Sequence, residues 1–96
     1  MSDKSALATL VGAYLHEDVF ELYADEFAAV DAFVSGAPDI ATALIDDIDD
    51  VLSRSSGEEE LRRSLEALGL AIEPAAGVTY REWLTQIADR ARAVLP

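Results

Sequence analysis

The chain contains one histidine, His16, which is followed directly by two carboxylate residues, Glu17 and Asp18. A metal site built on one helix would need ligands at i and i+3 or i+4, with further ligands from other elements. Adjacent residues instead point in different directions around a helix, and the chain contains no cysteine to supply a thiolate. The sequence therefore predicts no metal site and no cofactor. It places His16 near the end of the first helix, where a cation interacts favourably with the helix dipole.

Two pairs of carboxylates, Asp46 with Asp47 and Asp49 with Asp50, are the next residues whose types could do chemistry. General acid–base catalysis needs one carboxylic acid that is buried enough to raise its pKa. The apolar pattern around these four residues places them on the solvent side of a helix, where both members of a pair stay ionised. No G-x-S-x-G elbow accompanies the lone histidine. We therefore predict no catalytic residues and no enzymatic activity.

The same segment sorts its charges by helical angle. At 100° per residue, four aspartates fall within about 100° of one another on the helical wheel, and they are Asp39, Asp46, Asp49 and Asp50. We call this set the acidic stripe. Like charges this close together on a helix destabilise it slightly. The stripe therefore has two interpretations. It is either a solvated face that aids solubility or a docking surface for a basic partner.

Length and charge restrict the function further. A chain of 96 residues forms one domain. Its net charge is −12, and fifteen of its nineteen acidic residues precede residue 61. Nucleic-acid binding needs Lys and Arg against phosphate, so this balance excludes a nucleic-acid partner and is compatible with a basic protein partner. The absence of cysteine, of a signal-peptide pattern and of a long apolar run predicts a cytoplasmic protein without membrane contact.

Apolar residues recur at helical spacing through most of the chain. The pattern predicts an all-α fold, a small single-domain bundle of four to five short helices over residues 1–96. The expected helices cover residues 5–16, 25–35, 38–54, 57–68 and 80–94. The segment 17–24 is less regular, and it fits either a short helical turn or a packed loop.

Residues at the predicted helix ends carry their own signals. Asp25 is expected to cap one helix, and Gly36 is expected to end it in a left-handed conformation. Ser56 with Glu59, and Thr79 with Glu82, each have the S/T-x-x-E spacing of a capping box, and Trp83 is expected to be buried beside the second box.

The order of several short pieces resembles the small bacterial immunity proteins of contact-dependent growth inhibition systems. These pieces extend from about Leu7 to Arg90. They are Tyr14-Leu15-His16-Glu17-Asp18, Ala29-Val30-Asp31-Ala32-Phe33, Asp50-Val51-Leu52, Glu58-Glu59-Glu60-Leu61, Leu68-Gly69-Leu70 and Thr79-Tyr80-Arg81-Glu82-Trp83-Leu84. The residues that carry the resemblance most are His16, Asp18, Tyr80 and Trp83.

The resemblance implies a cytoplasmic antitoxin without catalytic activity. Such a protein binds and blocks the C-terminal toxin domain of a cognate effector, and a nuclease toxin with a basic cleft would suit an acidic inhibitor. Whether His16 and Asp18 serve the fold or the binding stays open, although Asp18 could cap the segment that follows, which favours the fold. The alternative hypothesis is a non-catalytic helical adaptor or self-associating module, whose homodimer would bury the fifth helix.

Overall fold

The computed structural model describes residues 6–15, 19–70, 72–74 and 76–95. All the regular secondary structure in these ranges is helical. Helix α1 (Ala6–Thr9) continues as a π-helix (Leu10–Tyr14), and a short α2 (Val19–Leu22) follows. The longer helices are α3 (Glu26–Val34), α4 (Pro38–Arg54), α5 (Glu58–Ala67) and α6 (Tyr80–Arg92). No strand occurs within these ranges, so the predicted all-α class is confirmed.

Helices α4 and α6 lie at the centre of the packing, because they contact each other and each contacts both α3 and α5. Helix α4 contacts α1 in addition. The core is one cluster of aliphatic side chains around Trp83, and each long helix contributes one apolar face to it. Arg81 at the start of α6 reaches the end of α4, so these two helices run in opposite directions. This arrangement leaves the opposite face of α4 exposed to solvent.

The first helix differs from the α-helix predicted over 5–16. From Leu10 its backbone is π-helical, and the N–H of Leu15 donates to the carbonyl of Leu10 at 2.9 Å, five residues back. Leu7, Leu10, Val11 and Leu15 are all buried. The apolar spacing locates the buried face of this segment correctly, but it does not distinguish a π-helix from an α-helix. His16 lies outside the described residues.

Two of the three predicted N-terminal caps are confirmed. The Asp25 carboxylate accepts a hydrogen bond from the Ala28 N–H at 2.8 Å. The Thr79 hydroxyl accepts from the Glu82 N–H at 3.0 Å, while the Glu82 carboxylate accepts from the Thr79 N–H at 3.0 Å, which completes a capping box. These bonds satisfy amides that the first turn of each helix leaves without intrahelical partners.

The capping box predicted at Ser56 is wrong. Helix α5 begins at Glu58 with Gly57 as its N-cap, one residue later than expected, so Glu59 occupies the second helical position and not the third. From there its carboxylate pairs with Arg62. The Ser56 hydroxyl instead donates to the Glu60 carboxylate. The shift by one residue removes the geometry that a reciprocal box requires.

Gly36 adopts the left-handed conformation that was predicted, with φ of 69°. It is the third residue of a turn in which Ser35 has φ −60° and ψ 124°, and the Ala37 N–H donates to the Val34 carbonyl at 3.0 Å. These values describe a type II turn, which needs positive φ at its third residue and therefore favours glycine. The turn ends α3 and leads directly into Pro38, the first residue of α4.

Substitution of Thr79 by alanine is expected to lower the free energy of unfolding by about 1 kcal/mol, because the Glu82 amide loses its cap. The matched control is Thr85→Ala on the same helix, whose hydroxyl bonds only to the carbonyl of Arg81 within the helix. That control is expected to change stability by less than about 0.5 kcal/mol. Urea denaturation of both variants measures the difference, and equal losses would contradict the role assigned to the cap.

Candidate protein-docking surface

The exposed face of α4 carries the acidic stripe. Helix α4 buries Leu44 and Ile48 against the core, and the four aspartates of the stripe are exposed on its other side: Asp39, Asp46, Asp49 and Asp50. Pro38 fits the first helical position because its fixed φ matches the helix and its missing N–H would be unpaired there anyway. The buried face of α4 therefore determines the direction in which the stripe points.

Most of the stripe has no partner among the residues that the structure describes. In the described ranges, no hydrogen bond or ion pair engages the carboxylates of Asp39, Asp46 and Asp49. Asp50 pairs with Arg54 one turn later, at 2.8 Å, and both side chains are well exposed. Asp47 is separate from the stripe, because it is half-buried and accepts the N–H of Leu7 at 3.1 Å. The stripe therefore presents carboxylates that the described cationic side chains leave unneutralised.

Four of the five arginines after residue 60 form ion pairs away from α4. Arg62 lies between Glu59 and Glu66, and its hydrogen bond to Glu59 is the main reason that the pKa of the Glu59 carboxyl falls below its usual value. The others pair along α5, with α3 or along α6, in the contacts Arg63–Glu59, Arg90–Asp31 and Arg92–Asp89, respectively. Arg90 also lies over the ring of Phe27, at 5.6 Å from its centroid. None of these contacts involves α4.

Contacts between helix ends hold the end of α4 in place. The Glu58 carboxylate, at the start of α5, accepts the N–H groups of Tyr80 and Arg81 at 2.6 and 3.1 Å. The Arg81 guanidinium donates to the carbonyls of Leu52 and Ser55 at 3.4 and 3.3 Å. A carboxylate at a helix start and a guanidinium at a helix end both complement the helix dipoles. Sequence reasoning missed this linkage, because its partners are more than twenty residues apart.

Tyr80 and Trp83, which carry part of the family resemblance, have structural positions. Trp83 is only 1% exposed, and its indole N–H donates to the Glu26 carboxylate at 3.1 Å. Tyr80 is half-buried, and burial, with a further contribution from Glu73, raises the pKa of its hydroxyl. Both residues therefore support the packing of α6. The other two, His16 and Asp18, lie outside the described residues.

A groove lies between α1, α4 and α5, next to the C-terminal end of the stripe. It has a volume of about 280 Å³. Its walls combine apolar side chains (Leu7, Val51 and Leu68), hydroxyls (Ser55 and Ser64), carboxylates (Asp47, Asp50 and Glu60) and the guanidinium of Arg54. Asp50 belongs to both the groove and the stripe. The two features therefore form one continuous acidic surface.

The same ranges offer neither a metal site nor a membrane-spanning helix. No group of three or more histidine or carboxylate side chains there could hold a metal ion. No helix in the part of the chain that the structure describes has the length and apolar character needed to cross a membrane. The acidic surface is therefore the candidate functional site in the described part of the chain.

A model of a known protein family matches most of the chain. The model of the CdiI immunity protein family matches residues 4–91 of the 96-residue chain. Searches of curated proteins and of solved structures gave no match. The family match spans α1 to α5 completely and α6 as far as Ala91. The chain therefore belongs to the CdiI immunity protein family.

Proposed function

We propose that this protein neutralises the toxin domain of a contact-dependent growth inhibition effector by binding it through the exposed face of α4. The observation that carries the proposal is the acidic stripe, in which Asp39, Asp46 and Asp49 have no partner in the described ranges. Complementary charge accelerates association and rejects partners of the wrong sign. The protein acts without catalysis, because its contribution is to occupy the toxin surface.

The partner that suits this surface is a toxin domain with a basic face. A nuclease has such a face, because it must bind the phosphates of its substrate through Lys and Arg. An acidic inhibitor on that face would exclude the nucleic acid sterically and electrostatically. We place this interaction in the cytoplasm, where the nucleic acids of the cell are the target to be protected.

Coexpression with the C-terminal toxin domain of the effector encoded immediately upstream tests the proposal. We expect the two chains to co-purify as a complex and the growth of the host cell to be restored. The matched negative control is the toxin domain of an unrelated effector of the same system, which should neither co-purify nor be neutralised. Failure of the cognate pair to form a complex would contradict the proposal.

A measurement of oligomeric state, combined with the coexpression, tests the alternative of a self-associating adaptor. Light scattering on the purified protein measures its mass in solution. A stable homodimer that buries α6, the fifth predicted helix, and does not bind the toxin domain would support the adaptor and contradict the antitoxin. Helix α4 would then carry a solvated face, as one interpretation of the stripe allows.

A further inference from the structure

We propose that the groove between α1, α4 and α5 accepts a lysine or arginine side chain of the toxin domain. This inference rests on the proposed function, because it requires a basic protein partner. The groove continues the acidic stripe through Asp50, so a partner on the exposed face of α4 would lie beside it. A side chain that enters the groove would give the complex a specific register in addition to long-range attraction.

Ser55, which lines the groove, supplies a hydroxyl that no described group engages. This residue is only 7% exposed and is the one buried polar residue in the described core. Its backbone is fully engaged, with the N–H bonded to Val51 and the carbonyl to Arg81. In the described ranges, however, its hydroxyl has no hydrogen-bond partner. A hydroxyl oxygen carries acceptor lone pairs, so this one is suited to accept a hydrogen bond from an incoming N–H.

The Ser55 hydroxyl is also reachable from the groove. No side-chain nitrogen or oxygen among the described residues is both fully enclosed and without a partner. Since the Ser55 hydroxyl has no partner, it must retain some contact with solvent, and the groove that Ser55 lines provides it. The hydroxyl of Ser64 lines the same groove from α5. Two hydroxyl acceptors therefore accompany the carboxylates there.

The chemistry of the walls selects a long basic side chain. Among the described residues that line the groove, three carry a carboxylate and one, Arg54, carries a guanidinium. The groove therefore has an excess of negative charge. The aliphatic stem of lysine or arginine can pack on Leu7, Val51 and Leu68 while its charged end reaches the acceptors. A bare metal ion would not use these apolar walls, and no metal-binding cluster is present in the described ranges. An acidic side chain would be repelled by this negative charge, and a neutral one would not offset it.

Substitution of Ser64 by lysine tests the inference directly, because it places a cation in the groove and fills it. We expect the dissociation constant for the cognate toxin domain, measured by calorimetry, to rise at least about tenfold, which corresponds to about 1.4 kcal/mol. The matched control is Gln86→Lys, which makes the same charge change at an exposed position of α6 that does not line the groove. The control is expected to change the dissociation constant less than threefold. Equal effects of the two variants would overturn the inference.

A second variant keeps the test independent of any folding defect in Ser64→Lys. Glu60→Gln alters an exposed side chain and removes one carboxylate from the groove with little change in shape. In double-mutant cycles with alanine substitutions of the lysines and arginines of the toxin domain, one of these residues should couple to Glu60. Additivity with every one of them would overturn the inference.

The outcomes for the inference and for the proposed function are distinct. If the wild-type protein binds the toxin domain tightly while Ser64→Lys binds equally well, the groove is empty in the complex and only the inference fails. If the wild-type protein does not bind the toxin domain at all, the proposed function fails and the inference fails with it. Thermal melts of each variant, followed by circular dichroism, establish that the folded proteins are being compared.

Discussion

Replacement of Trp83 by alanine is expected to lower the free energy of unfolding by about 3–5 kcal/mol, as for other large buried side chains. Trp83 is the largest of the fully buried side chains, and it lies in the core between α6 and its neighbours. The substitution would leave a cavity and would also remove the indole donor from the Glu26 carboxylate. Urea denaturation followed by circular dichroism measures the loss.

Two control variants separate packing from hydrogen bonding at this position. Trp83→Phe retains a large part of the buried ring but loses the N–H, so its loss should be smaller than that of Trp83→Ala. Glu26→Gln retains an acceptor for the indole and should cost less than about 1 kcal/mol. If Trp83→Ala were to cost less than about 1 kcal/mol, the side chain would have to be accessible in solution, and the packing described for α6 would be wrong.

Reversal of two charges in the acidic stripe, Asp46→Lys together with Asp49→Lys, is expected to slow association with the cognate toxin domain. The decrease should be about tenfold or more at low salt, within the range of electrostatic steering. These two residues are chosen because neither lines the groove and neither has an intramolecular partner in the described ranges. Both are exposed, so stability should change by less than about 0.5 kcal/mol.

Association kinetics at low and high ionic strength measure this effect. Salt should slow the wild-type protein more than the variant, because exposed charges are screened increasingly above ~0.1 M. The matched control is Glu21→Lys together with Glu73→Lys, which makes the same change in net charge at exposed positions outside α4. Equal association rates for the stripe variant and this control would mean that net charge alone matters. The stripe would then be a solvated face.

The local features of this protein were determined by the sequence itself. Apolar spacing along the chain predicts the all-α class and the buried faces, and it places the stripe opposite the core, as the structure confirms for the exposed side of α4. The caps at Asp25 and Thr79 were predictable for the same reason. Each of these features depends on residues no more than a few positions apart, whose geometry a helix specifies in advance.

The tertiary structure alone decided the features that join distant segments. The π-helix at Leu10–Tyr14 has the same apolar spacing as an α-helix, so packing had to distinguish them. The N-cap of α5 is Gly57 and not Ser56, and the Glu58 carboxylate caps the start of α6 at Tyr80, 22 residues away. The groove beside Ser55 likewise needs three helices to meet. No local pattern encodes such contacts, because they arise from the way in which helices far apart in sequence pack their buried faces together.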